Sequence, residues 1–191
     1  MTKITKRKCV FFDRDGIVNE SPGQGRYLTR WQDFHLIPEF ITCLRSVLKM
    51  GYQAVIVTNQ RAVARGLISI KDLEHIHRRL KRLLMRQYGL KLLDIIYCPH
   101  NANECSCRKP SPGMLLDMAA KHNLDLTASW MIGDSGTDVE AGRRAGCRTI
   151  LVAGSPRRLR RRAGNSSGLK ADKRIPSMRV LAKRIHAIIS V

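Results

Sequence analysis

Asp13 and Asp15 stand two residues apart just after the apolar run Cys9–Phe12, and three more polar groups follow in chain order. These are Thr58-Asn59-Gln60, Arg108-Lys109-Pro110 and the stretch from Gly133-Asp134 to Asp138. A carboxylate in a turn is ordinarily solvated or capping, and a Thr-Asn pair is a common loop. All four groups in this order point to one shared pocket. Three carboxylates (Asp13, Asp15, Asp134) brought together repel one another unless a cation joins them. Hard oxygen ligands suit Mg²⁺, which binds through one or two carboxylates plus a phosphate. Lys109 adds a fixed positive charge, and Thr58 and Asn59 add hydrogen-bond donors. Such a set stabilises the equatorial oxygens of a transferring phosphoryl group. One aspartate can attack phosphorus as a nucleophile. The other can protonate the leaving alcohol and later activate water.

A second constellation is more local. Cys98, His100, Cys105 and Cys107 offer three thiolates and an imidazole within a hydrophilic loop. Cys₃His is a closed structural Zn²⁺ set, with no coordination position left for catalysis. Arg108 and Lys109 follow Cys107 directly, so a loop folded on zinc would fix where Lys109 points.

The elements that must position these groups can be read from periodicity. Apolar runs of strand length occur at 8–13, 53–58, 93–98, 129–133 and 149–153. Helical spacing of apolar residues marks 40–50, 69–88, 112–122 and 138–145, with Ser69 as N-cap and Gly89 past the helix end. A last amphipathic helix at 176–190 opens at Pro176-Ser177. Strands alternating with helices predict an α/β fold, a doubly wound, Rossmann-like parallel sheet. Ligands bind beyond the carboxyl ends of such strands, where all four polar groups fall.

Length and composition set the bounds. The chain has 191 residues, which predicts a single domain over 1–191, and 43% are hydrophobic, enough for a real core. No apolar run is long enough to span a membrane, and the one after the basic N-terminus is too short for a signal peptide, so a cytoplasmic protein is expected. A monomer is expected. The formal charge is +20. Residues 155–191 hold eleven Lys/Arg against Asp172 alone, with Arg157, Arg158, Arg160, Arg161 and Arg162 in one run. We read 155–174 as a basic flexible loop. Contact with nucleic acid through it is the less favoured reading, because no aromatic residue interleaves the arginines to stack bases.

The order of motifs resembles the haloacid dehalogenase (HAD) superfamily of phosphatases. The resemblance implies Asp13 as nucleophile and Asp15 as general acid/base. It implies that Thr58 holds the phosphate with Lys109, and that Asn59, Gln60 and Arg108 belong to the phosphate or substrate pocket. It assigns Mg²⁺ to the Asp13 carboxylate, the backbone carbonyl of Asp15 and Asp134, and gives Asp138 a supporting role through Lys109 or the turn. Ile17 departs from the family pattern, which has Thr after the Gly.

The zinc loop narrows the resemblance to one branch, the D-glycero-D-manno-heptose 1,7-bisphosphate phosphatases and their histidinol-phosphate phosphatase relatives. Three stretches favour the heptose enzymes: Phe12–Asn19, Thr58–Gln60 with Ala64-Arg65-Gly66, and Cys107–Met114. Ser135 stands where many heptose enzymes have Lys. In this branch no large cap domain is present. The segments 21–34, 61–66 and the zinc loop shape the pocket instead, with Arg14, Arg65 and Arg108 as candidates for the distal phosphate. The implied activity is a Mg²⁺-dependent phosphomonoesterase acting on a small phosphorylated sugar, foremost heptose 1,7-bisphosphate at C7. The alternatives are a histidinol-phosphate phosphatase, a polynucleotide end phosphatase and a basic nucleic-acid-binding module without catalysis.

Overall fold

The computed structural model describes residues 5–23, 25–153 and 170–190. The run Arg157–Arg162 and most of the expected basic loop lie outside the described residues. The elements are β1 (Arg7–Phe12), a 3₁₀ turn (Trp31–Asp33), α1 (Pro38–Lys49), β2 (Gln53–Asn59), α2 (Ile70–Tyr88) and β3 (Asp94–Cys98). There follow α3 (Gly113–His122), β4 (Leu124–Gly133), α4 (Gly136–Arg144), β5 (Arg148–Val152), β6 (Lys173–Ile175) and α5 (Met178–Ile189). All six strands join one parallel sheet in the order β3-β2-β1-β4-β5-β6.

Alternation along the central strands explains the layers. Val10 and Phe12 of β1, with Ala54 and Ile56 of β2, face a core built with α1, α2 and α5. Cys9 and Phe11, with Val55 and Val57, face the opposite core under α3 and α4. Both faces are covered, so these strands read as unbroken apolar runs. Burial pushes the thiols of Cys43 and Cys147 up to about 12, and that of Cys9 well above its usual value. These three cysteines are packing residues, unlike the three in the loop. The helix ends match their sequence signals. Ser69 Oγ accepts from Asp72 N at 3.0 Å, and Gly89 closes α2 in the left-handed region at φ 65°.

Two features depart from the sequence reading. β4 starts at Leu124, not near Ser129, because Leu124 and Asp125 pair with Arg7 and Lys8 of β1; Asp125 Oδ1 then accepts from the amides of Thr127 and Ala128. The register against β1 shifts there. The expected loop 155–174 also ends sooner than read: Lys173–Ile175 form an edge strand on β5. Asp172 Oδ2 anchors it, accepting from Thr149 N at 2.8 Å and Thr149 Oγ1 at 2.7 Å. A three-residue polar strand carries no alternation to detect.

The chain order reverses direction between β1 and β4, the switch point where such sheets open a crevice. Asp13 follows β1 and Asp134 follows β4. No separate cap domain occurs among the described residues; the segment between β1 and α1 holds only bridges and the 3₁₀ turn. No helix among them is long and apolar enough to cross a membrane.

Candidate active site

The switch point brings Asp13, Asp134 and Asp138 together, with one carboxylate oxygen of each within 4.8 Å of the others. Asp13 N donates to Ile132 O at 2.9 Å, which ties the tip of β1 to β4. Gly16 keeps the crevice open. It sits at φ 101°, and a Cβ there would come within 2.5 Å of Asp134 Oδ2.

Lys109 enters this cluster from the loop before α3 and is buried. Its Nζ donates to Asp13 Oδ1 at 2.6 Å and Val57 O at 2.8 Å, and pairs with Asp138 Oδ1 at 2.7 Å. Burial alone would lower the Lys109 pKa; Asp13 and Asp138 more than reverse that, so the ammonium stays charged. Burial pushes the Asp13 carboxyl up, Lys109 pulls it back, and Asp138 and Asp134 push it up again, to about 8. Further positive charge beside it would bring that value down. With all three carboxylates ionised, one ammonium leaves two negative charges, the complement of one divalent cation. All the donors are hard oxygens, so the set fits Mg²⁺.

Asp138 serves two elements. Its Oδ2 accepts from Ser135 N at 3.0 Å and from Ser135 Oγ at 2.5 Å, a capping box at the start of α4. Ser135, in the position many heptose enzymes give to Lys, is thus the N-cap. Ile17, the other departure from the family pattern, is buried in the core beneath α1 and α2.

The sequence reading makes Asn59 a donor to phosphate; in the structure its amide clamps the Lys109 backbone. Nδ2 donates to Lys109 O at 2.9 Å, and Oδ1 accepts from Lys109 N at 3.1 Å. Gln60 Nε2 bridges Thr58 Oγ1 at 2.8 Å and Asp15 Oδ2 at 3.2 Å. The Thr58 hydroxyl keeps its own hydrogen to donate.

Asp15 lies outside the carboxylate cluster. Its oxygens accept from Arg14, from Asn19 Nδ2 at 2.9 Å and from Gln60. Arg14 departs from expectation: it is only 1% exposed and its guanidinium faces Asp15 and His77, not a substrate pocket. The sequence reading does not single out His77, one of two histidines on the amphipathic α2. Arg65 Cζ sits 5.6 Å from the Tyr27 ring centre and so joins two of the expected pocket segments. Arg108 Nη1 donates to His100 O at 3.1 Å.

The ligand atoms of Cys98, His100, Cys105 and Cys107 all lie within 4.8 Å of one another. Sγ of Cys98 and Cys105 are 3.5 Å apart, and those of Cys105 and Cys107 3.2 Å. His100 Nδ1 is 3.7 Å from Cys98 Sγ and 3.5 Å from Cys107 Sγ. A tetrahedron with Zn–S near 2.3 Å has edges of roughly this length, so the set fits Zn²⁺. Gln60 N donates to Cys98 O at 2.7 Å and Ala64 N to Pro99 O at 3.1 Å, bracing the loop against the chain beyond β2.

Comparison with known proteins accords with this geometry. A HAD-hydrolase-like family model matches residues 106–169. The D-glycero-alpha-D-manno-heptose-1,7-bisphosphate 7-phosphatase of Photorhabdus laumondii is 36% identical over 156 residues, 77% of this chain and 83% of its own length. The chain belongs to the heptose-bisphosphate phosphatase branch of the HAD superfamily. A Helicobacter pylori relative, named for the beta anomer, is 35% identical over 78% of this chain and 84% of its own length. The D,D-heptose 1,7-bisphosphate phosphatase of B. bronchiseptica, solved with magnesium and phosphate, superimposes with a TM-score of 0.80 at 29% identity. That match covers 95% of this chain and 99% of the other. This HAD member is accordingly a phosphatase, of a family that uses Mg²⁺.

Proposed function

We propose that this phosphatase removes the C7 phosphate of D-glycero-D-manno-heptose 1,7-bisphosphate, leaving heptose 1-phosphate. The observation that carries the reading is Lys109 Nζ held between Asp13 and Asp138 at the switch point, with Val57 O, next to Thr58 in the chain, as its third partner. The relatives' shared substrate supports the choice of sugar.

In this reading an Asp13 oxygen attacks phosphorus and the bond from phosphorus to the sugar oxygen breaks. Asp15 gives its proton to that leaving oxygen. Asp15 then takes a proton from water, whose oxygen attacks phosphorus, and inorganic phosphate leaves with Asp13 restored. Lys109 and Thr58 hold the phosphoryl oxygens as charge builds on them. Asp13, the Asp15 backbone carbonyl and Asp134 would hold Mg²⁺, which when bound neutralises charge on the phosphoryl group. Cys98, His100, Cys105 and Cys107 would hold Zn²⁺, which orders the chain leading to Lys109. Asn59 and Asp138 position Lys109, and Gln60 positions Asp15.

The test is phosphate release from both anomers of heptose 1,7-bisphosphate, from histidinol phosphate, from other sugar phosphates and from end-phosphorylated oligonucleotides. Preference for a heptose bisphosphate is expected, together with a trapped phosphoryl group on Asp13. Preference for histidinol phosphate or for oligonucleotide ends overturns the substrate; turnover that survives Asp13→Asn overturns the mechanism.

A further inference from the structure

The Asp15 carboxylate is gripped from beyond its own turn. Arg14 Nη2 donates to Asp15 Oδ1 at 3.1 Å and Oδ2 at 3.0 Å, and Arg14 Nε reaches Oδ1 at 3.3 Å. On its other side Arg14 Nη1 lies 3.2 Å from His77 Nε2, on α2. A guanidinium has donors only, so Nε2 must be the acceptor and the ring hydrogen must sit on Nδ1. The ring is neutral. Burial and the Arg14 charge, against the opposing pull of Asp15, press the His77 pKa down to about 3. Tyr97 packs against the ring at 5.6 Å between centres, and its hydroxyl donates to Glu74 Oε1 at 3.1 Å, tying Tyr97 to the same helix. The imidazole is thus held in place from β3 as well as from α2.

We propose that His77 is a positioning residue for the phosphatase reaction: it fixes the Arg14 guanidinium, and Arg14 aims the Asp15 carboxylate at the leaving oxygen. The physical reason is geometric. Arg14 is a long side chain that would otherwise have several rotamers, each presenting a different edge to Asp15. An acceptor on the far edge selects one of them. Asn19 Nδ2 adds a bond to Oδ1 and Gln60 Nε2 one to Oδ2, and the Asp15 side chain stays 26% exposed, open on the side a substrate can reach. General-acid catalysis is sensitive to such aim, since proton transfer needs hydrogen-bond reach to the atom that leaves. The inference rests on the reading of Asp15 as the acid.

The experiment compares kcat/KM for heptose 1,7-bisphosphate with that for p-nitrophenyl phosphate, whose leaving phenolate needs little protonation. kcat/KM reports the step that transfers the phosphoryl group to the enzyme. His77→Leu should lower the value for the sugar ester by about tenfold, part of what a general acid supplies, and that for the nitrophenyl ester by no more than about twofold. His77→Gln, whose amide oxygen can accept from Arg14, should recover most of the loss. His77→Asn is too short to do so and should resemble His77→Leu, which keeps the test usable if the leucine variant fails to fold. Equal losses on both esters, or no recovery with Gln, overturn the role of His77. Asp15→Asn is the control: if it too lowers both esters equally, the acid assignment fails, and this inference with it.

Discussion

One candidate metal set, Cys98, His100, Cys105 and Cys107, comes from a single short loop; the other, Asp13, Asp134 and Asp138, is assembled from the end of β1, the end of β4 and the first turn of α4. The loop set closes only short stretches of chain, so little entropy opposes bringing its donors together. Its order depends on soft ligands finding a metal. The carboxylate set is placed by the sheet, with β1 and β4 paired and both cores filled. Its like charges are offset by a buried lysine, and that lysine is where the two regions meet. Lys109 is two residues past Cys107, yet its backbone is clamped by Asn59 from β2 and its ammonium by Asp13 and Asp138. The loop delivers the charge, and the sheet decides where it rests.

The comparison can be broken at either end. The largest effect is expected from Asp13→Asn. Phosphate release should fall by roughly 10⁴-fold or more while the zinc content measured by elemental analysis is unchanged. A loss of zinc in that variant would show that the two regions are not separable. Next is Cys105→Ser or removal of zinc by a chelator with Mg²⁺ kept in excess. Activity should drop about 10- to 100-fold, with protease cleavage appearing within 98–107. Full activity without zinc would mean that Asn59 and the carboxylates place Lys109 unaided.

Asn59→Ala sharpens the same point. It removes two hydrogen bonds to Lys109 from the sheet side and should cost about 1–3 kcal/mol in urea unfolding, with a lower kcat. A variant that loses neither would mean that the loop and the carboxylates place Lys109 without the Asn59 clamp.

A smaller effect concerns pH. The folded-state pKa of His77 is depressed to about 3, whereas an unfolded histidine titrates near 6.5. Below about pH 6.5 the unfolded chain takes up a proton that the folded chain refuses. Stability is therefore lost as pH falls from 6.5 toward 3, by at most about 1.4 kcal/mol per pH unit from this residue. Read from denaturant midpoints between pH 7 and pH 4, the wild type should lose stability relative to His77→Gln as pH falls. Parallel curves would mean that His77 is solvated in the folded protein.

Much of this could be read from residue order. The helix signals at Ser69 and Gly89, the apolar runs of the central strands and the Cys₃His spacing are local, and each follows from bonding within a few residues. β6 and the first half of β4 were not legible. Lys173–Ile175 is a strand only because β5 offers an open edge and Asp172 reaches Thr149. Arg14 misled for a related reason. A charged turn residue is normally solvated; Asp15 pairs the buried charge, and nothing near Arg14 in sequence announces His77, which accepts from its other edge.

The sequence by itself determined the alternation of strands and helices, the identity of the carboxylates, the lysine and the thiolates, and the family they belong to. These are properties of side-chain chemistry and short-range spacing. Tertiary structure alone decided that Asn59 holds Lys109 rather than facing outward and that His77 stands behind Arg14. Each of those depends on distances between segments that chain order leaves free and that only the packed sheet and its helices can set.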